Sequence, residues 1–204
     1  MIRALLAVMI ATLAGCAERA PAGAVPCDAV AGIVAELDGG GARCSGVLVG
    51  PRVVLTAAHC RPIASAPGAV VELGGERHAV ASTERHLERD LAIVVLDRPS
   101  HIAPLSLAVA GIEVGAEVVV ASAREGGWAA AQRIVSLDPL HAVAMGASSE
   151  AVCAGDSGGP LLVEDGDALR VVGILSTGSF DCRGRGTFTR VDAARDWLAP
   201  RIGR

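Results

Sequence analysis

The sequence predicts an all-β fold of antiparallel strands, a barrel or a sandwich, with a single helix at its end. Three observations predict it. First, brief apolar runs rich in Val, Ile and Leu recur along the chain. They are Gly32 to Leu37, Ser45 to Val49, Val53 to Ala57, Ala69 to Leu73, Leu91 to Leu96, Val118 to Ala121, Leu161 to Val163 and Val171 to Leu175. Second, these runs are bounded by Gly, Pro, Asp or Arg and lie about 8–20 residues apart, with no helical period between them long enough for a parallel crossover. Third, the one helical pattern is terminal: Asp192 stands where a cap would, and Val191, Ala194, Trp197 and Leu198 share a face.

At 204 residues the chain has room for one ordinary domain or two small halves sharing a core, and Pro99 to Gly111 reads as the connector between two halves. The formal charge is -4, and all 18 basic residues are Arg, interleaved with acids. A nucleic-acid partner needs a basic stripe, and none is present. Four aromatic residues (Trp128, Trp197, Phe180, Phe188) leave no stacking platform, while 51% apolar content excludes disorder.

Taken from the start, Met1-Ile2-Arg3 precedes the uncharged run Ala4 to Gly15 and then Cys16. That run is too short to span a bilayer and has the anatomy of a secretory signal. Leu13-Ala14-Gly15-Cys16 resembles the lipobox of bacterial lipoproteins, in which the cysteine is acylated and becomes the first residue. The expectation is a signal peptide over residues 1–15, an acylated Cys16 with an Ala, Pro and Gly-rich tether over 16–27, and a globular domain over 28–204. The plainer alternative is an ordinary signal peptide cut nearby. Either way the domain faces an oxidising compartment, and a lipid anchor would hold it on a bacterial envelope membrane.

The residues that carry chemistry begin with Gly155-Asp156-Ser157-Gly158-Gly159-Pro160. Glycines on both sides of a serine let backbone N–H groups approach a substrate carbonyl, which suits a nucleophile with an oxyanion hole. The string also fits the nucleophile elbow of α/β-hydrolases, but there the base histidine follows the serine. All five histidines here precede Ser157. A base must come from upstream, and Thr56-Ala57-Ala58-His59-Cys60, directly after the run Val53 to Leu55, supplies it; His78, His86, His101 and His141 read as structural or solvated. The orienting acid is Asp90, at the mouth of the apolar run Leu91 to Leu96.

His59, Asp90 and Ser157 with their flanks resemble the trypsin/chymotrypsin family of serine peptidases, in motif and in His, Asp, Ser order, over nearly all of residues 28–204. The resemblance implies two perpendicular six-stranded antiparallel β-barrels, one over about residues 28–105 and one over about 111–190, with the triad between them and a C-terminal helix at about 191–199. It implies that Ser157 attacks the scissile carbonyl, His59 moves the proton and Asp90 fixes the imidazole tautomer, with the N–H groups of Gly155 and Ser157 as oxyanion hole and no cofactor. Ser176 matches the serine that hydrogen-bonds the triad aspartate, and Ser176 to Gly178 match the segment that pairs with substrate backbone, with Thr177 where Trp is usual. Ala151, Gly178 and Gly186 match the pocket positions. They imply an apolar side chain of medium or large size before the cut bond, and not Arg or Lys. Two disulfides are implied, Cys44 to Cys60 and Cys153 to Cys182. Cys27 is then left alone unless an unacylated Cys16 bridges to it. No spacing supports a metal site.

The chain departs from the family at its start, where a free Ile-Val terminus usually pairs with the acid before the nucleophile, here Asp156. Ile33-Val34 lies inside the first strand. An internal arginine is therefore expected to neutralise Asp156, with Arg124 and Arg133 the candidates and Arg124 preferred, gripping the carboxylate by two parallel hydrogen bonds.

Overall fold

Tight glycine turns set the architecture. Gly40-Gly41 and Gly74-Gly75 all adopt positive φ (63°, 78°, 54° and 81°), the twist that lets two-residue hairpin loops join antiparallel strands. They link β1 (Val34–Gly39) to β2 (Ala42–Gly50), and, after β3 (Val53–Thr56), β4 (Val70–Leu73) to β5 (Glu76–Arg85). With β6 (Ala92–Leu96) these strands close an antiparallel six-stranded barrel in the order β1-β2-β3-β6-β5-β4. The computed structural model describes residues 33–146, 152–178 and 185–203.

The second half repeats the plan. After β7 (Ser106–Leu107) come β8 (Glu117–Ser122), β9 (Trp128–Leu137), β10 (His141–Gly146), β11 (Pro160–Asp165), β12 (Ala168–Thr177) and β13 (Arg185–Arg190). The sheet order β11-β8-β9-β10-β13-β12 is closed by β11 pairing with β12, giving a second antiparallel six-stranded barrel. The connector is not featureless: β7 adds to the outside of β12 in parallel, with Ser106 opposite Arg170 and Leu107 opposite Val171.

Each barrel buries the inward-facing residues of its strands. Leu37, Val47, Leu55, Val71 and Ile93 are fully buried in the first, and Val120, Ile134, Leu161, Leu175 and Phe188 in the second. With so few aromatics, branched aliphatics do the filling, each fully buried side chain contributing about 1.5–3 kcal/mol.

The terminal helix is shorter and starts later than the sequence pattern implied. A 3-10 turn over Asp192–Ala194 leads into the α-helix Arg195–Ile202, and Asp192 makes no capping bond to it. Its carboxylate accepts from Arg190 Nε and Nη2 at 3.0 and 2.6 Å and from the Ala193 N–H at 3.0 Å, within the 3-10 turn and short of the α-helix. Leu198 is fully buried, as the pattern required, and Val191 and Ala194 pack beside it.

Candidate active site

His59 owes its place to the fully buried strand β3, which runs straight into a 3-10 turn over Ala58–Cys60. Pro62 is the second residue of the four-residue helix that follows, Arg61–Ala64, where its missing N–H costs nothing because no N–H of the first turn has a partner within the helix. A disulfide from Cys60 to Cys44 of β2, with Cα atoms 6.1 Å apart, ties this turn to the barrel wall. In the chain-entropy model, closing a loop over this sequence separation of 16 stabilises by about 3 kcal/mol.

Asp90 stands at the end of the β5–β6 loop, just before β6. The loop is organised around His86, whose Nδ1 accepts from the N–H groups of Glu88 and Arg89 at 3.1 and 3.2 Å. The His86 ring also meets Trp197 edge-on at 5.3 Å between centroids. The Asp90 carboxylate then receives three donors: His59 Nδ1 at 2.8 Å, His59 N–H at 3.0 Å and the Ser176 hydroxyl at 2.7 Å. Burial pushes the Asp90 carboxyl up, but these hydrogen bonds outweigh it and hold the group at about 2. The same contact raises His59 above its ordinary 6.5, with burial opposing it in part.

Ser157 lies in a turn whose glycines are required by space. A Cβ on Gly158 (φ +83°) would sit 2.1 Å from Thr56 Oγ1 and 2.2 Å from the Ser45 carbonyl, and one on Gly159 would sit 2.4 Å from the Ala121 carbonyl. Gly155 adopts φ +96°, and beneath it lies the Arg124 stem, whose Cδ would be 3.2 Å from an added Cβ. The N–H groups of Gly155 and Ser157 find no acceptor among the described residues. Nor does a hydrogen bond join Ser157 to the His59 ring there, a contact that in such sites often tightens only around a bound substrate.

Asp156 is completely buried and fully satisfied. Its Oδ1 accepts from Ser122 Oγ at 2.5 Å, Arg124 Nε at 2.8 Å and Trp128 Nε1 at 3.1 Å, and its Oδ2 from the Cys153 N–H at 2.6 Å. The cation is Arg124, but the grip differs from the expected parallel pair. One arm, Nε, reaches Asp156 while Nη1 turns to Glu125 Oε1 at 3.0 Å, because Glu125 (φ +56°) folds back beside it. Arg133 points elsewhere, to Glu117 and the Gly115 carbonyl.

Of the other positions named in the sequence, Gly178 and Gly186 both face Val152. Its Cγ2 lies 2.7 Å from a Cβ added at Gly178 and 3.0 Å from one at Gly186, so this fully buried side chain takes up the space between them. Cys153 is disulfide-bonded. Ala151, Cys182, Cys16 and Cys27 lie outside the described residues. Cys44, His59 and Cys60 form the one grouping of metal-type ligands among the described residues, and both sulfurs are committed to the disulfide. No helix among the described residues is long and apolar enough to cross a membrane. A cleft of about 290 Å³ opens on the Arg124 turn, between Gly74 and Gly75 on one side and Ala123, Gly126 and Gly127 on the other. It contains neither His59 nor Ser157.

Sequence reasoning missed Ser45, Ser122 and Trp128. Only Trp128, one of two tryptophans beside a glycine pair, carried any signal.

Known proteins resemble this one across both barrels. A sequence model of the trypsin-like peptidase domain matches residues 44–174. Glucanase inhibitor protein 2 of Phytophthora sojae is 25% identical over 207 aligned positions, covering 80% of this chain and 71% of that protein. Glucanase inhibitor protein 1 of the same organism is 27% identical over 199 positions, with 76% of each covered. Among solved structures, human heparin binding protein superposes with a TM-score of 0.69 at 24% identity, over 82% of this chain and 90% of its own. Neuropsin, a serine protease expressed in the limbic system of mouse brain, gives 0.68 at 25% identity over 83% of this chain and 93% of its own. Because the matched stretch starts at the bridged Cys44 and runs through His59, Asp90 and Ser157 into β12, the chain belongs to the trypsin-like peptidase domain family.

Proposed function

We propose that this protein is a serine endopeptidase that cuts peptide bonds through an acyl-enzyme on Ser157. The observation that carries the reading is the row Ser176, Asp90, His59, hydrogen-bonded at 2.7 and 2.8 Å, beside a serine loop whose buried aspartate has its own cation. Ser157 Oγ attacks the scissile carbonyl and its proton passes to His59 Nε2. The N–H groups of Gly155 and Ser157 hold the oxyanion, His59 protonates the leaving amine, and water enters by the same route in reverse to free the acid. Because Arg124 is part of the chain, the domain works without a cut to expose a new terminus.

A second reading, a catalytically inactive protease-like binding lipoprotein, is favoured by names: two relatives are glucanase inhibitor proteins and one structural neighbour is a heparin binding protein. Fluorophosphonate labelling separates the two readings. The wild type is expected to label on Ser157, and Ser157→Ala to stay unlabelled with an unchanged melting temperature, since a half-buried hydroxyl is merely removed. Silence of the wild type would support the binding protein.

The side chain before the cut bond is proposed to be apolar and smaller than the glycine walls alone imply, because Val152 occupies part of the space between Gly178 and Gly186. Ala151 adds no charge to the pocket. In a peptide library, cleavage after Ala or Val is expected to dominate, and dominance of Arg or Lys would sink this assignment.

Acylation of Cys16 would anchor the protein to the bacterial envelope, on its periplasmic or outer face. The anchor is checked by metabolic palmitate labelling in a bacterial host, which Cys16→Ser should abolish.

A further inference from the structure

The fully buried Ser45 of β2 spends every polar group it has on the seam between the barrels. Its N–H donates to the Ser157 carbonyl at 2.7 Å, and its own carbonyl accepts from Thr56 Oγ1 at 2.7 Å. Its hydroxyl donates to the Gly155 carbonyl at 3.1 Å and accepts from the Ala123 N–H at 3.1 Å, and its oxygen lies 3.0 Å from Ser122 Oγ. All but one of these contacts cross to the second barrel.

Proton counting fixes the direction of the network. A carboxylate only accepts, so the single Ser122 proton lies on the 2.5 Å contact with Asp156. Ser45 must then be the donor toward Ser122, and its one proton serves both Ser122 Oγ and the Gly155 carbonyl. The chain of donors runs from Ala123 N–H through Ser45 and Ser122 to Asp156, and each bond polarises the next.

Gly155 and Ser157 are the two residues whose N–H groups the peptidase reading assigns to the oxyanion hole. Their carbonyls are the two that Ser45 holds. The two carbonyls bracket the Asp156–Ser157 peptide unit, so holding both sets the direction of the Ser157 N–H, and holding the first braces Gly155, whose own N–H belongs to the preceding peptide unit; neither N–H has a described acceptor. We infer that Ser45, on the opposite barrel from the nucleophile, is a positioning residue for the oxyanion loop, acting by holding the carbonyls of Gly155 and Ser157. The inference rests on the peptidase reading for its kinetic consequence and on geometry alone for the anchoring.

The test compares wild type with Ser45→Ala in the full chain. Losing the hydroxyl should lower kcat on a peptide substrate by about tenfold or more, approaching the effect of one misplaced oxyanion donor, with KM changed less than about twofold. Affinity for a peptide aldehyde, whose hemiacetal oxygen occupies the hole, should fall with kcat while affinity for a product peptide stays put. Independently of catalysis, amide hydrogen exchange over residues 153–161 should quicken. A purely structural role would weaken both ligands together and lower the melting temperature without the kcat and KM split. Unchanged exchange in that segment overturns the inference. An inert wild type whose exchange still quickens in Ser45→Ala supports the anchoring and removes the peptidase reading. Should Ser45→Ala fail to fold, Ser45→Cys keeps the volume while weakening the donor and is read by the same measurements.

Discussion

Arg124→Ala is expected to yield a protein with its triad intact, no peptidase activity and a markedly lower melting temperature. The Asp156 carboxylate is completely buried, and without Arg124 it keeps three neutral donors, Ser122, Trp128 and the Cys153 N–H, but no cation. Stranding a buried charge in this way costs about 3–5 kcal/mol. The loss does not stay local. The Arg124 stem also lies under Gly155, so the same change removes the floor of the turn that presents Gly155 and Ser157. The Arg124 turn itself is built with three successive positive φ angles, Glu125, Gly126 and Gly127. A non-glycine residue in that region is uncommon and persists where its surroundings hold it; here Glu125 accepts from Arg124 Nη1 and so braces the guanidinium. Arg124→Lys should recover little, because one ammonium cannot reproduce a planar donor that faces Asp156 with one edge and Glu125 with another. Calorimetry and fluorophosphonate labelling on a protein with a blocked N-terminus check the prediction. A blocked wild type that is inert and gains activity only after proteolysis would show a zymogen and overturn it.

How much of this was legible in the sequence depended on whether the signal was local. Strands with continuous apolar runs, such as β3 and β6, announced themselves because both faces are buried. Strand β5, with Glu76, Arg77, Glu84 and Arg85 among its ten residues, did not, since one face is wet and its alternation is broken by a register shift near Val80. Strands β9, β10 and β13 were missed for a related reason: small or polar residues such as Ala130, Ala144 and Gly186 face inward where bulk would have made a pattern. The expectation for His59, Asp90 and Ser157 rested on flanking strings that are short and stereotyped, and the structure brings His59 and Asp90 together at 2.8 Å. Arg124 was readable only through its partner: the acid in the Ser157 loop needed a cation, and an arginine just after the run Val118 to Ala121 stood at about the right place for it. Ser45 and Ser122 could not be found at all. A hydroxyl joining residues 77 apart leaves no trace in either neighbourhood.

Asp90→Asn is expected to lower kcat by about ten-thousand-fold while leaving the fold in place. In the peptidase reading the carboxylate does two things for His59: it accepts from Nδ1, which fixes the proton on that nitrogen and leaves Nε2 free as a base, and it stabilises the imidazolium formed when Nε2 takes the Ser157 proton. An amide of the same shape still bonds the ring but carries no charge, and it can present its NH2 group so that the proton is held on Nε2 instead. The pH profile distinguishes these effects from simple misfolding. In the wild type the Asp90 contact raises His59 above 6.5, so kcat/KM should rise with pH along a limb whose midpoint lies above 6.5. In Asp90→Asn the charge is gone and a neutral amide favours the imidazolium far less than a carboxylate does, while burial still opposes it, so the midpoint of the residual activity should move down. Stability follows the same ion pair with opposite signs for its members. The contribution of His59 is fully present below pH 6.5 and is lost as pH rises through its raised value. That of Asp90 is present above its unfolded value of 3.8 and is lost as pH falls through about 2. The two statements describe one contact, so the pair stabilises the fold most between those limits. There His59 is protonated, and in the peptidase reading activity is expected only as pH rises and the charge on the ring is given up. A residual limb that stays above pH 6.5 in Asp90→Asn would mean that some other group holds the imidazolium, and the role assigned to Asp90 would fall.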